Sequence, residues 1–495
     1  MIRNLDGGRP LKLAIVLIFV VLGVRGWMAA SLPITDSTEA RYAEISRKMV
    51  ETANWITPQF DYGVPFWGKP PLAFWVSAAG IKLFGTQPLV ARAGIFLTSA
   101  ALLLVYGLWI REAVDKRLAV VATLMLASSA VYFISAAAIM TDMMLAAAVT
   151  LSLIAFWRRA HGGSRTWGFI FFISLGMGLL AKGPIALIFV FFPVIFWSLT
   201  VDRKFAAIKR FSWVSGSAVT LLVAAPWYAF AEYKTPGFLN YFIIGEHVKR
   251  FLVSGWKGDL YGHAHSMPLG MVWVFLVIGM IPWSLTLAPS LFTRENRARL
   301  KERFKAHRSL MLFCLFWMLG PLCLFTLSHH ILWPYVLPGV PGAILLLALA
   351  LFGTAGDSQK RLLAKVSAIS AIMMAVLVVA TLWVKSTGLI MEHSQKRVVD
   401  AYEALRPTAD SGLYYFGDLY HSAEYYSGGK AKHLEAGPLL IALMKNATTD
   451  FIVVSRRKLD SLPREVRDGF PQVGQYNTQL LLEEKTTPAL PPHPE

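Results

Sequence analysis

The chain has 495 residues, with 48 Lys and Arg against 30 Asp and Glu, for a formal net charge of +18. Only 16% of its residues are charged and 55% are hydrophobic, and the mean hydropathy is +0.51. A soluble globular chain averages roughly 25% charged residues, and a disordered or nucleic-acid-binding basic chain lacks this much apolar mass. Both classes are excluded, and no nucleic-acid partner is expected. What remains is a polytopic α-helical membrane protein with its positive charges held on one side. The two cysteines, Cys314 and Cys323, share one apolar stretch and have neither disulfide nor metal spacing.

Apolar runs close to the ~20 residues that cross a bilayer recur along the chain. They lie near 11–31, 90–110, 118–138, 143–157, 166–181, 183–200, 211–230, 268–290, 309–327, 334–354 and 363–384. Eleven transmembrane helices are therefore predicted. If they alternate, one side collects Arg111, Lys116 and Arg117, then Arg158, Arg159 and Arg165, then Arg203, Lys204, Lys209 and Arg210. The basic run from Arg294 to Arg308, the group Lys360, Arg361 and Lys365, and the N-terminal Arg3, Arg9 and Lys12 fall on that side too. The positive-inside rule makes it cytoplasmic. The expected organisation is a membrane domain over 1–385, with outer loops at 32–89 and 231–267, and a small soluble outer α/β domain over 386–495. In that domain 413–416 and 451–454 read as strands separated by a helical stretch after Glu435, before a Pro-rich end.

In the first outer loop, Tyr42, Ile45, Met49 and Val50 share one helical face, while Arg41, Glu44, Arg47, Lys48 and Glu51 take the other. This predicts a short amphipathic helix lying in the membrane interface. Asp36 and Glu39 read either as a capping box or as functional acids, and Glu44 with Lys48 as an i,i+4 pair. An extended, aromatic stretch follows, ending in Lys69-Pro70-Pro71. Pro70 keeps Lys69 out of helix, which fixes an ammonium at a helix start near the interface, within reach of a lipid phosphate. The alternative is a snorkelling surface lysine.

Asp142 opens a span amid apolar sequence, where an acid is costly and therefore of interest. Lys182 occupies the turn Ala181-Lys182-Gly183-Pro184. In the second outer loop Glu246 is spaced to pair with Arg250; His247 and Arg250 alternatively face the same cavity as Lys69. His263 and His265 have weak ligand spacing, and Tyr335 follows Pro334 at the outer end of a span. No phosphate-binding loop or zinc motif occurs, so no cofactor is called for and a divalent metal has no support in the pattern. Apolar spans, cations suited to phosphate and a few carboxylates fit a lipid-linked substrate handled at the outer face.

The segments Glu39-Ala-Arg41-Tyr42-Ala-Glu44-Ile45, Trp55-Ile-Thr-Pro58, Lys69-Pro70-Pro71-Leu72-Ala-Phe-Trp75 and Leu83-Phe84-Gly85 resemble the first periplasmic loop of the bacterial aminoarabinose transferase family. That family belongs to the membrane glycosyltransferases of the GT-C fold, which include the protein O-mannosyltransferases. Weaker likeness continues through Thr141-Asp142, Ala181-Lys182-Gly183, Glu246-His247, Arg250-Phe251 and Pro334-Tyr335, about two thirds of the chain in all.

The resemblance implies a bacterial inner-membrane enzyme. It would move 4-amino-4-deoxy-L-arabinose or a related sugar from an undecaprenyl-phosphate carrier to lipid A or another periplasmic acceptor. Carried over by position, it implies Lys69, Arg250, Arg41 and Tyr335 at the carrier phosphate, Tyr42, Lys182, Glu246 and His247 around the cavity, and Asp36, Glu39 and Asp142 as catalytic acids. Two positions depart from the family. Thr38 stands where the lipid A enzymes have an aspartate three residues before the arginine, which leaves Asp36 and Glu39 as the nearest acids, and Gly68 stands where a glutamate commonly precedes the lysine. A transporter or flippase of lipid-linked substrates, or a protein O-glycosyltransferase, are the rival readings.

Overall fold

A computed structural model describes residues 8–202, 205–253, 255–262, 267–351, 356–408, 410–434 and 448–485. Arg3, Arg203, Lys204, His263, His265, the helical stretch expected after Glu435 and the Pro-rich end lie outside the described residues.

Among the described residues, eight helical stretches are long and apolar enough to cross a membrane, against eleven predicted. They include α1 (Arg9–Ser31), and three further elements account for the difference. The run over 118–138 breaks at Ser128-Ser129 into α5 (Lys116–Ala127) and α6 (Ala130–Ser135). The run over 268–290 ends its helix at Gly279, just before Pro282, which has no N–H with which to continue it. The helix α8 (Arg165–Lys182) has a cation at each end, which shortens its apolar window. At the centre of the bundle is α7 (Thr141–Ala160), packed against α8, α4 (Pro88–Ala113) and α9 (Ile185–Trp197).

The basic connections gather at one end of the bundle. Arg117 donates to the Gln359 side chain (2.9 Å), Arg158 pairs with Glu112 (2.7 Å), and Arg210 donates to the Ala160 carbonyl (2.8 Å). At the opposite end lie α2 (Thr38–Glu51), the short hairpin of β1 (Gln59–Asp61) and β2 (Val64–Pro65), and α3 (Leu72–Phe84). Arg92, one turn into α4, ties that end together. Its guanidinium donates to the carbonyls of Ala29, Leu32 and Pro33 and pairs with Glu39 at 2.7 Å.

The pattern of α2 predicts a helix with its charged side in the open, and the fold corrects this. Glu44, Arg47 and Lys48 are buried along with Tyr42, Ile45 and Met49. The reason is a helix from the far end of the sequence, His421–Tyr426, that packs across the polar side of α2. Lys48 meets Glu424 at 2.9 Å and Glu44 at 3.7 Å, while Arg47 pairs with Glu44 and Glu51, each at 2.7 Å.

Residues 396–485 build a five-stranded sheet. The order is β4 (Ala431–Leu434), β3 (Leu413–Phe416), β5 (Phe451–Ser455), β7 (Gln479–Glu483), β6 (Gln472–Tyr476). β3 runs parallel to β4 and β5, and β7 antiparallel to β5 and β6. Alternation along β5 feeds two cores, Ile452 and Val454 on one face and Phe451 and Val453 on the other. The domain grips the first loop by several bonds. His393 O accepts from Asp36 N–H (2.8 Å), Ser394 Oγ donates to Ile34 O (2.9 Å), and Tyr425 OH donates to Thr86 O (2.8 Å).

Candidate active site

Three backbone features bring the candidate residues together. The Pro70-Pro71 pair starts α3 and delivers Lys69 to the helix end. At the close of α8, Gly183 turns the chain sharply with φ of +83°, a conformation that glycine adopts without penalty. A Cβ there would lie 2.7 Å from the Phe242 ring, so the same glycine also permits close packing. Finally, Asn240–Lys249 is a π-helix, the wider coil often found at functional sites. It presents Glu246 and His247, and Arg250 at its C-cap, to one side.

The result is a cavity of about 330 Å³ whose polar lining comprises Lys69, Lys182, Glu246, His247, Arg250, His330 and Tyr335. Its other wall is apolar, built from Ile185, Ile188, Ile243, Phe251 and Leu324. A second, almost wholly apolar cavity of about 370 Å³ lies among α3, α4, α7 and α8, with Leu72, Val76, Leu102 and Met144 in its lining.

Within the polar cavity two cations share one carboxylate. Lys69 Nζ is 2.7 Å from Glu246 Oε2, and Arg250 Nη1 lies 2.8 Å from both Glu246 oxygens. Tyr241 OH adds a bond of 3.2 Å to Glu246, and Asp259 lies 3.0 Å from the other arm of Arg250. Burial pushes the Glu246 carboxyl up, but Lys69 and Arg250 outweigh it and hold the group down to about 2. A second pair, Lys182 with Asp142 at 2.5 Å, stands beside it, and the Lys182 ammonium lies 4.0 Å from the centre of the Tyr335 ring. Cation–π contact thus ties this pair to the cavity wall.

His247 faces two carbonyls, with Nδ1 at 2.8 Å from Phe242 O and Nε2 at 3.2 Å from Lys182 O. Burial, with the nearby Lys69, pushes the imidazole below its ordinary value against the pull of those carbonyls. A neutral ring has one N–H to give, so it donates to one of these two carbonyls at a time. His247 is a structural strut between the π-helix and the end of α8.

The remaining candidates take other positions. Tyr42 is buried edge-on against Phe74, ring centroids 5.1 Å apart. Arg41 reaches to the second loop, donating to Tyr261 O at 2.5 Å and covering the Tyr42 and Phe66 rings. Neither lines the cation cavity. Asp36 is no capping-box residue: the N-cap of α2 is Ser37. The Asp36 carboxylate instead accepts the Ser422 N–H (3.0 Å) and hydroxyl, two donors that draw it onto the C-terminal domain. Glu39 is taken by Arg92 and the Ile139 N–H (3.4 Å). The structure therefore brings Asp142 to the cavity cluster and leaves Asp36 and Glu39 outside it.

Three contributors have no mark in the pattern of charges and spacings: Tyr241, Asp259 and Tyr261, whose OH bridges Trp67 N–H (2.9 Å) and Pro65 O (2.8 Å). Arg92 had one available signal, an arginine inside an apolar span. Among the described residues, no group of three or more His, Cys, Asp or Glu side chains converges as a metal site.

A family model for dolichyl-phosphate-mannose-protein mannosyltransferases matches residues 13–242. The undecaprenyl phosphate-alpha-4-amino-4-deoxy-L-arabinose arabinosyl transferase of Erwinia tasmaniensis is 31% identical over 335 residues, covering 66% of this chain and 56% of its own. One from Pseudomonas fluorescens is 28% identical over 393 residues, covering 77% and 64%. The chain thus spans less than two thirds of the length of these relatives.

Among solved structures, ArnT from Cupriavidus metallidurans bound to undecaprenyl phosphate superimposes with a TM-score of 0.79 at 19% identity, covering 96% of this chain and 99% of that one. The oligosaccharyltransferase of Archaeoglobus fulgidus follows with a TM-score of 0.52 at 13% identity, covering 92% and 70%. In sequence the chain is a relative of the aminoarabinose transferases, and in fold it is a multi-pass membrane protein of the GT-C type.

Proposed function

We propose that the chain is a polyprenyl-phosphate-sugar-dependent glycosyltransferase. It moves 4-amino-4-deoxy-L-arabinose or a related sugar from undecaprenyl phosphate to lipid A or another envelope acceptor. It works at the outer face of the bacterial inner membrane, with its N-terminus in the cytoplasm. One observation carries the reading: Lys69 and Arg250 converge on a single anionic group in a cavity whose other wall is apolar. Such a site fits an amphiphile with a phosphate head and a hydrocarbon tail. The relatives' names and the ArnT complex with undecaprenyl phosphate support the same substrate class.

In the proposed reaction an acceptor oxygen attacks the anomeric carbon as the carbon–oxygen bond to the carrier phosphate breaks. The bonding pair leaves with the phosphate, and a single displacement inverts the anomeric centre. Charge grows on the phosphate as the bond breaks, so Lys69 and Arg250 stabilise the transition state more than the ground state. An acceptor phosphate arrives ionised and needs no base. An acceptor hydroxyl gives its proton to a carboxylate, and of the three candidates Asp142 is joined to the cavity through Lys182.

Lys69→Ala in purified, reconstituted protein is expected to abolish transfer from an undecaprenyl-phosphate sugar while the protein remains folded. Wild-type turnover by that variant would sink the reading. Mass spectrometry of lipid A and other envelope glycans from a deletion strain identifies the sugar and the acceptor.

A further inference from the structure

The two cations that the proposed function assigns to the carrier phosphate are already bridged by a carboxylate. Both oxygens of Glu246 are engaged, by Lys69 at 2.7 Å and by Arg250 Nη1 at 2.8 Å. The carboxylate is almost fully buried, with a side-chain exposure of 3%. Arg250 carries a second buried acid, Asp259, at 3.0 Å. Its Nε is buried with no hydrogen-bond partner, a donor left over within the same guanidinium. A site built only to attract phosphate has no need of two acids on its arginine.

We infer that Glu246 is an internal counter-anion that keeps Lys69 and Arg250 converged between turnovers and drives the spent carrier phosphate out. The inference rests on the assignment of the carrier phosphate to these two cations. Glu246 lies in the π-helix four residues before Arg250, which caps that helix, so it stays beside the site when a phosphate takes over the ammonium. The donor is a phosphodiester with one negative charge. The product is a phosphomonoester, which carries about −1.5 to −2 at neutral pH. A fixed carboxylate at hydrogen-bond distance from the same cations therefore repels product more than donor. As the product leaves, Lys69 and Arg250 return to Glu246 with no rearrangement of the backbone. The leaving phosphate is stabilised by the cations during bond cleavage and displaced by the acid afterwards.

The test uses the full-length protein in lipid nanodiscs, with undecaprenyl phosphate as probe. Dissociation constants and ligand-induced shifts of the unfolding temperature are measured for wild type, Glu246→Gln and Asp259→Asn. Glu246→Gln is expected to unfold at lower temperature without ligand yet to bind undecaprenyl phosphate more tightly. The gain is roughly tenfold, the low end of what close charge pairs contribute. Product inhibition of transfer rises in step. A merely structural role for Glu246 predicts weaker binding, and weaker or unchanged affinity in the variant overturns the inference while leaving the phosphate assignment standing. No ligand-induced shift in wild type overturns both. Asp259→Asn tightens binding to a smaller degree and carries the test if the glutamine variant does not fold; unchanged or weaker affinity there overturns the inference as well.

Discussion

Gly183 controls where two helices may meet. Its φ of +83° and the Phe242 ring 2.7 Å from an added Cβ are separate constraints on the same residue. With ψ of −155° this backbone is one that essentially glycine alone adopts, so forcing an L-residue into it costs about 1–3 kcal/mol, and the ring must move in addition. Phe242 belongs to the π-helix and is the carbonyl partner of His247 in it, so a shift there reaches Glu246 and the Arg250 that caps the same helix. Gly183→Ala is expected to lower transfer activity, and Phe242→Leu added to it is expected to recover part of the loss. A double-mutant cycle on turnover checks the coupling; strictly additive losses would mean that ring and glycine act separately.

A residue-scale pH effect follows from Glu246. Its folded-state value of about 2 lies below the ordinary 4.5. A carboxyl held low contributes stability that is complete above its unfolded value, and this is lost as the pH falls from about 4.5 toward 2. Wild-type unfolding temperature should therefore drop over that acid range, and Glu246→Gln should lose less over the same range. Parallel curves for the two proteins would contradict the assignment.

At the scale of elements, the most consequential packing is α2 under the His421–Tyr426 helix. Lys48 is fully buried and depends on Glu424 at 2.9 Å, with Glu44 further off at 3.7 Å and Asp61 at 3.4 Å. Removing one partner of a buried ion pair leaves an uncompensated charge and costs on the order of 3–5 kcal/mol. Glu424→Ala is expected to lie at the low end of that range, because two acids remain near Lys48. Thermal unfolding in detergent measures it. Glu424→Ala combined with Lys48→Met should restore much of the loss, since the charges that stay buried, Glu44 and Arg47, are paired with each other.

The same element shows what a sequence can and cannot tell. The apolar face of α2, Tyr42, Ile45 and Met49, was readable from its spacing and is buried as spacing requires. Its charged face followed the same rule to the wrong environment, because the covering helix comes about 380 residues later and periodicity is blind to such a partner. Asp36 was misplaced for that reason too, since its donors belong to Ser422. The cation cluster was legible because Lys69, Lys182, Glu246 and Arg250 each stood out against apolar or proline-rich surroundings. Asp259 and Tyr241 have no such contrast and are recognised only once the second loop is folded onto the first.

Across the whole molecule the net charge of +18 divides by position. One end of the bundle collects cations that donate to neutral groups, Arg117 to an amide side chain and Arg159 and Arg210 to backbone carbonyls. At the other end the cations are matched by acids in Lys69–Glu246, Lys182–Asp142, Arg92–Glu39 and Lys48–Glu424. An end whose connections hold many more Lys and Arg than Asp and Glu is the end retained in the cytoplasm, so the cavity and the C-terminal sheet are expected to face outward.

Single cysteines can test this orientation in a Cys323→Ser background, where the remaining Cys314 is buried. Val64 in β2 and Asp460 in the C-terminal domain are exposed at the cavity end, and Ser164 is exposed at the other. Val64→Cys and Asp460→Cys should react with a membrane-impermeant maleimide added to spheroplasts. Ser164→Cys should react only after lysis. Labelling of Ser164→Cys in intact spheroplasts, with the other two protected, would turn the molecule over, place the cavity at the cytoplasmic face and contradict the proposed transfer at the outer face.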